Sequence, residues 1–222
     1  MAKNKNIKKI ILSVLFAPGL FMKPTFAFAQ PVIVDKIAAS IEGVGVITSL
    51  QLMQYSAISA VMDDGYEKCI GELKDPVYIR SSLNKLIDRM LMLKDAQLLS
   101  VKPPAPGIIS GMVGQFKAKF KSDKDYDDFM KQYALSADYL SKYMSEELTI
   151  NQYTYDEIKM LVHVSDKDVA SYYKNNKEAY ENMDRREAET KIRKLLEQED
   201  YDRELKSWIK TLALHRGIII TY

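Results

Sequence analysis

One cysteine, two histidines and nine glycines stand among 222 residues, and each scarcity removes a class of chemistry. A lone cysteine supports no disulfide framework and no metal-spaced cluster. Cys69 therefore reads as a buried or half-buried free thiol, with a disulfide-linked dimer as the alternative in an oxidising compartment. His163 and His215 have no cysteine or second histidine near them in sequence and read as structural residues, at the surface or partly buried. The glycines form neither a phosphate-cradling loop nor a Gly-x-Ser-x-Gly turn. Carboxylates come in runs such as "DKDYDD", which a solvated helix start explains better than an acid–base pair. The expectation is a protein with no catalytic residues, no metal and no cofactor. No internal repeat is visible. Beyond the first thirty residues, no segment is long and apolar enough to cross a membrane.

Basic charge is present, but in the wrong place for nucleic acid. Lys3, Lys5, Lys8 and Lys9 precede an apolar run, Ile10 to Met22, broken only by Ser13 and Pro18-Gly19. Ala27-Phe28-Ala29 then places small residues at the two positions a signal peptidase reads. Residues 1–29 are the expected signal peptide, cleaved after Ala29, which makes the protein periplasmic. The alternative is an uncleaved membrane anchor. Thirteen helical residues reach only ~20 Å, against the ~30 Å of a bilayer core. Removing the five lysines of residues 1–29 from the 32 basic residues leaves 27 against 30 acidic ones, a net charge of −3. Nothing in that balance calls for nucleic acid. Residues 30–222 are long enough to bury a core without disulfides.

What is plentiful is helix signal. "VIVDKIAASIEGVGVIT" is the exception: two β-branched runs, Val32 to Ile41 and Val44 to Thr48, flank Gly43 and Gly45 as a hairpin. Glu42-Gly43 is a poorer two-residue turn than Asn-Gly, which favours a longer loop. Thr48 with Gln51 has capping-box spacing and starts a helix to about Met62, ended by Asp63-Asp64-Gly65. Asp75-Pro76 opens the next, whose Ile79, Leu83, Leu86, Ile87, Met90 and Leu93 form one stripe. It runs to about Leu99 and breaks at Pro103-Pro104-Ala105-Pro106-Gly107. Helices are expected over Ile108 to Phe120 and Tyr126 to Tyr133, then after Ser136, and after Ser165 with Asp168. The last spans about Asp184 to Leu214, with a seam of Ala188, Ile192, Leu195, Leu205, Trp208, Ile209 and Leu212, and Tyr201 filling the gap.

The chain closes on "HRGIIITY", which reads as a short buried strand. A lone strand leaves its backbone groups unpaired, so Ile218 to Thr221 is expected to join the N-terminal hairpin in one small sheet. On that reading, lysine at Ile219 would destabilise the whole domain, not just fray its tail. The fold class is mainly α: a multi-helix domain with a small sheet joining its two ends.

The segments "VDKIAASIEGVGVIT", "LNKLIDRMLMLKDA", "LSADYLSKYMSEELTINQYTYDEI" and "VSDKDVASYYKNN" occur in that order, and "IRKLLEQEDYDRELKSWIKTLALHRGIIITY" ends the chain. In this ordered set the chain resembles the N-terminal chaperone domain of SurA and related periplasmic proteins, over most of residues 30–222. The resemblance implies that the two ends fold together. It departs from the family in the missing Asn-Gly hairpin and in "VKPPAPGIISGMVGQF", which lacks the usual acidic helix start. In that family a parvulin prolyl-isomerase domain sits between "YY" and the last helix; here Tyr180 is followed almost at once by Asp184, too few residues for a domain.

The expected function is therefore a non-catalytic periplasmic chaperone whose partners are unfolded or nascent exported or outer-membrane polypeptides, with no nucleic-acid partner. Membrane association follows only if the signal stays uncleaved. Two alternatives stand: a prolyl isomerase, and a membrane-tethered scaffold. Eleven methionines and fourteen tyrosines suit an adaptable apolar surface. The expected client contacts are Met112, Phe116, Phe120, Phe129, Met130 and Tyr133, next to the proline break.

Overall fold

Residues 35–222 are described by a computed structural model; the expected signal segment and the first residues of the Val32–Ile41 run lie outside them. Strand β1 (Ile37–Ile41) turns into β2 (Gly45–Thr48) through Glu42-Gly43-Val44. The loop has three residues, not two, because Gly43 alone takes the left-handed conformation in it (φ 70°). Val44 N–H closes the loop onto Ile41 O at 3.1 Å. Ser40 faces Val46 and Ala39 faces Ile47, and the register shifts between Ile37 and Ala39.

At the far end of the chain, β3 (Ile218–Ile220) pairs antiparallel with β1, setting Ile218 opposite Ile41, Ile219 opposite Ser40 and Ile220 opposite Ala39. The strand order is β2-β1-β3, so the two ends of the described chain meet as expected. The junction is tied off by Glu42 N–H to Gly217 O and Thr221 N–H to Ala38 O, both 2.9 Å. Burial differs from expectation. Ile218 is half-buried, while Ile219 and Ile220 are 64% and 51% exposed. The strand lies at the sheet edge, and Ile219 shares the outward face with Ser40 and Val46 rather than the core face with Ala39, Ile41 and Ile47.

Eight α-helices separate the hairpin from β3 among the described residues. Helix α1 (Ser49–Asp64) begins on a complete capping box: Gln51 N–H donates to Thr48 Oγ1 at 3.2 Å and Thr48 N–H to Gln51 Oε1 at 3.0 Å. Gly65 ends it at φ 82° and leads straight into α2 (Tyr66–Glu72), a helix beyond those expected. Asp75 caps α3 (Pro76–Leu98), accepting from Val77 N–H at 2.8 Å with proline in the first turn. Helix α4 (Pro106–Lys117) starts two residues earlier than expected and has no side-chain cap; proline at its start loses no hydrogen bond there. Ser122, Ser136, Ser165 and Asp184 cap α5 (Asp123–Gln132), α6 (Ala137–Lys159), α7 (Asp166–Asn175) and α8 (Arg185–Ala213). A 3-10 turn, Lys177–Tyr180, joins the last two.

Two packing centres result. The larger joins the sheet to α1–α6 around Ile41, Ile47, Leu52, Ile58, Leu83, Phe116, Leu140 and Met144. A smaller one lies where α6 ends against α7 and α8, with Ile158, Val169, Ala188 and Ile192 buried. The expected seam of α8 holds at Ala188 and Ile192 but loosens at Leu195, which is 38% exposed. Asp200, not Tyr201, is the buried residue in the gap, and it accepts from His163 N–H at 2.8 Å. A carboxylate is stable there because it satisfies a backbone donor that the bend after α6 leaves unpaired and pairs with Arg203. No helix among the described residues is long and apolar enough to cross a membrane.

Candidate polypeptide-binding surface

The six expected client contacts do not form an exposed surface. Phe116, Phe120, Phe129, Met130 and Tyr133 are buried, and Met112 packs half-buried against them. Three rings form a tight aromatic group: Phe116–Phe120 at 5.5 Å, Phe120–Phe129 at 5.2 Å and Phe116–Phe129 at 6.2 Å between centroids. Tyr66 closes the group from α2, 4.8 Å from Phe120. Helix α2 thus supplies one wall of this cluster. Its signal was present: Tyr66, Cys69, Ile70 and Leu73 recur at i, i+3, i+4 and i+7. Cys69 points inward, its Sγ 3.0 Å from Tyr66 O, and burial pushes the thiol up to about 11, which leaves it protonated and unreactive near neutral pH.

A different apolar concavity is open. A groove of about 420 Å³ is lined by Leu52 and Met53 of α1, Ile70 and Leu73 at the α2 end, Ile79 of α3, and Tyr222 beyond β3. Met53 is 48% exposed and Ile70 45%, so two large apolar side chains face solvent inside one depression. Tyr133 is the one expected contact that reaches this groove. Gln132 Nε2 donates to its hydroxyl at 3.1 Å. The groove takes shape because α1 follows directly on β2 while β3 arrives from the opposite end of the chain, so Tyr222 is brought beside Met53.

The neighbouring edge of β3 adds backbone chemistry. In its antiparallel pairing with β1, Gly217 O and Thr221 N–H face inward. The alternation of the ladder then turns the N–H and C=O of Ile218 and Ile220 to the edge that no strand among the described residues covers. Nothing charged and no proline interrupts these three isoleucines. An extended segment laid along them would find hydrogen bonds for its backbone, as in strand addition.

A third concavity, about 200 Å³ between α1, α3 and α6, is spoken for. Arg89 enters it almost fully buried and spends its donors internally: Nε on Glu147 and Nη1 on Glu146, both 3.1 Å, and Nη2 on Tyr143 O at 3.2 Å. Its guanidinium also lies 4.7 Å from the centre of the Tyr143 ring. With all three of its nitrogens engaged, the arginine fastens α3 to α6. Tyr55 beside it is pushed up to about 12, chiefly by burial and then by the charge of Glu147.

Among the described residues no group of three His, Cys, Asp or Glu side chains is placed to hold a metal ion. His163 and His215 are both exposed and lie on separate segments, the bend after α6 and the turn after α8. No family model matches the chain, and no curated protein matches it either.

Proposed function

We propose that this chain is an exported, SurA-like chaperone that holds non-native polypeptide without chemical catalysis, working in the periplasm after removal of residues 1–29. Its partners on this reading are unfolded or nascent exported chains, outer-membrane polypeptides among them. One observation carries the reading: an apolar groove with Met53 and Ile70 open to solvent, lying beside a sheet edge of three isoleucines. Methionine adapts to irregular apolar surfaces through its three rotatable bonds, which suits a site that meets many sequences. The open edge suits extended chains, the state in which strands of unfolded outer-membrane proteins arrive.

The test uses side chains that do not hold the fold. Met53→Ser with Ile70→Ser removes apolar surface already in contact with water, so the melting temperature should change by no more than a few degrees. Suppression of aggregation of a urea-diluted β-barrel protein should fall severalfold. Unchanged suppression by a well-folded double variant would refute the groove as the client site.

A further inference from the structure

A second groove, remote in sequence from the first, lies over the smaller packing centre. It measures about 690 Å³ and runs between α6 and α8, lined by Tyr155, Lys159 and Val162 on one side and Lys194, Glu197 and Tyr201 on the other. Its walls are pinned. His163 N–H is held by Asp200 at 2.8 Å, Arg193 Nη1 donates to Val164 O at 2.9 Å, and Tyr153 meets Trp208 edge-on at 5.5 Å. The groove is thus formed before any ligand arrives, which spares binding the cost of ordering it.

Its charge is unbalanced. Some helical lysines are paired, Lys117 with Asp123, Lys124 with Asp128, Lys142 with Glu146 and Lys191 with Glu187, and others such as Lys131 and Lys206 are not, among the described residues; what marks this groove is that two unpaired lysines line one concavity. Among the described residues, Lys159 and Lys194 have no carboxylate within 4.0 Å; the Lys159 ammonium instead lies 5.1 Å from the Tyr155 ring centre. Two lysines against the single Glu197 leave the groove net positive, on a chain whose residues 30–222 are net negative. Tyr155 is half exposed, and beyond it Met160 and Leu161 stand out from the surface, 80% and 53% exposed.

From this complementarity we infer that the α6–α8 groove binds acidic peptide segments in which carboxylates flank an aromatic or aliphatic side chain. The carboxylates pair with Lys159 and Lys194, and the apolar side chain lies on the tyrosines and Val162. This site does not rest on the chaperone reading, since it shares no residue with the Met53 groove.

The probes are three capped hexapeptides, Ac-AEYLEA-NH2, Ac-AQYLQA-NH2 and Ac-AKYLKA-NH2, titrated into residues 30–222 and followed by amide NMR shifts. The acidic peptide should shift residues around 155–162 and 194–201 and bind at least about tenfold more tightly than the glutamine peptide, the factor two partly exposed ion pairs supply. Lys159→Gln with Lys194→Gln should remove that factor while leaving the weak binding of the glutamine peptide in place. Raising the salt to about 0.5 M should act on the acidic peptide in the same way. Equal affinity for all three peptides, or shifts elsewhere, would overturn the inference. So would a concentration-dependent dimer, detected by sedimentation and lost in the double variant, because the groove would then serve self-association. The aggregation assay on the Met53→Ser, Ile70→Ser variant reads the other groove, so either proposal can fail alone.

Discussion

Phe116 shows how a single side chain changes meaning once its neighbours are known. Its spacing with Met112 and Phe120 marks an apolar helix face, and such a face is either core or a surface for clients. The choice falls to Phe120, Tyr126 and Phe129, whose rings pack around it until none of its surface reaches water. Phe116→Ala should accordingly cost about 3–5 kcal/mol, the range for emptying a buried aromatic site, measured as a shift in the urea midpoint. A loss of client binding in that variant would report unfolding, not a lost contact. Met53 is the converse case. Nothing in its sequence neighbourhood separates it from Leu52, yet Leu52 is buried and Met53 half exposed, because successive positions on a helix point about 100° apart and only Leu52 points into the core. Arg89 was not legible at all as a buried residue; only the placement of α6 beside α3 brings Glu146 and Glu147 to it.

At the scale of elements, the local signals that held were the ones with self-contained chemistry. Thr48 with Gln51, Asp75 with Pro76, Ser136, Ser165 with Asp168, and Asp184 each cap the helix expected of them. A cap is a contact between residues two or three apart, so it needs nothing from the rest of the molecule. Helix α2 was missed because seven residues with an internal glycine carry little intrinsic helix stability, and its formation depends on the aromatic cluster it covers. Strand β3 was placed correctly and buried wrongly. Three isoleucines in a row satisfy a core strand and an edge strand equally well. Since Ile219 faces outward beside Ser40, Ile219→Lys should alter stability by no more than about 0.5 kcal/mol, where the buried reading demands destabilisation of the whole domain. Lysine on an exposed edge also blunts strand addition. The same variant should therefore aggregate less on its own and bind extended peptide less well, which turbidity and peptide titration would show.

For the whole molecule, the sheet is the clasp. Strand β1 lies between its own hairpin partner and a strand from the opposite end of the chain, so removing residues 217–222 should destabilise the entire unit. Loss of the interstrand backbone bonds, at about 1 kcal/mol each, sets the expected cost near 2–4 kcal/mol. Hydrogen exchange should rise across β1 and α1 together; exchange confined to the new terminus would show that the clasp carries no global stability. Much of this molecule follows from its string of residues alone: helix starts, the hairpin glycine, the mainly helical class and the meeting of the two ends. All of these rest on backbone preferences and on the need of every strand for a partner, and such demands act locally or admit few solutions. The surfaces did not follow. Which apolar stripe is walled in and which is left open depends on helices brought together from distant parts of the chain, as Tyr66 covers Phe120 and Tyr222 arrives beside Met53. Burial is a property of neighbours, and neighbours exist only once the chain has folded.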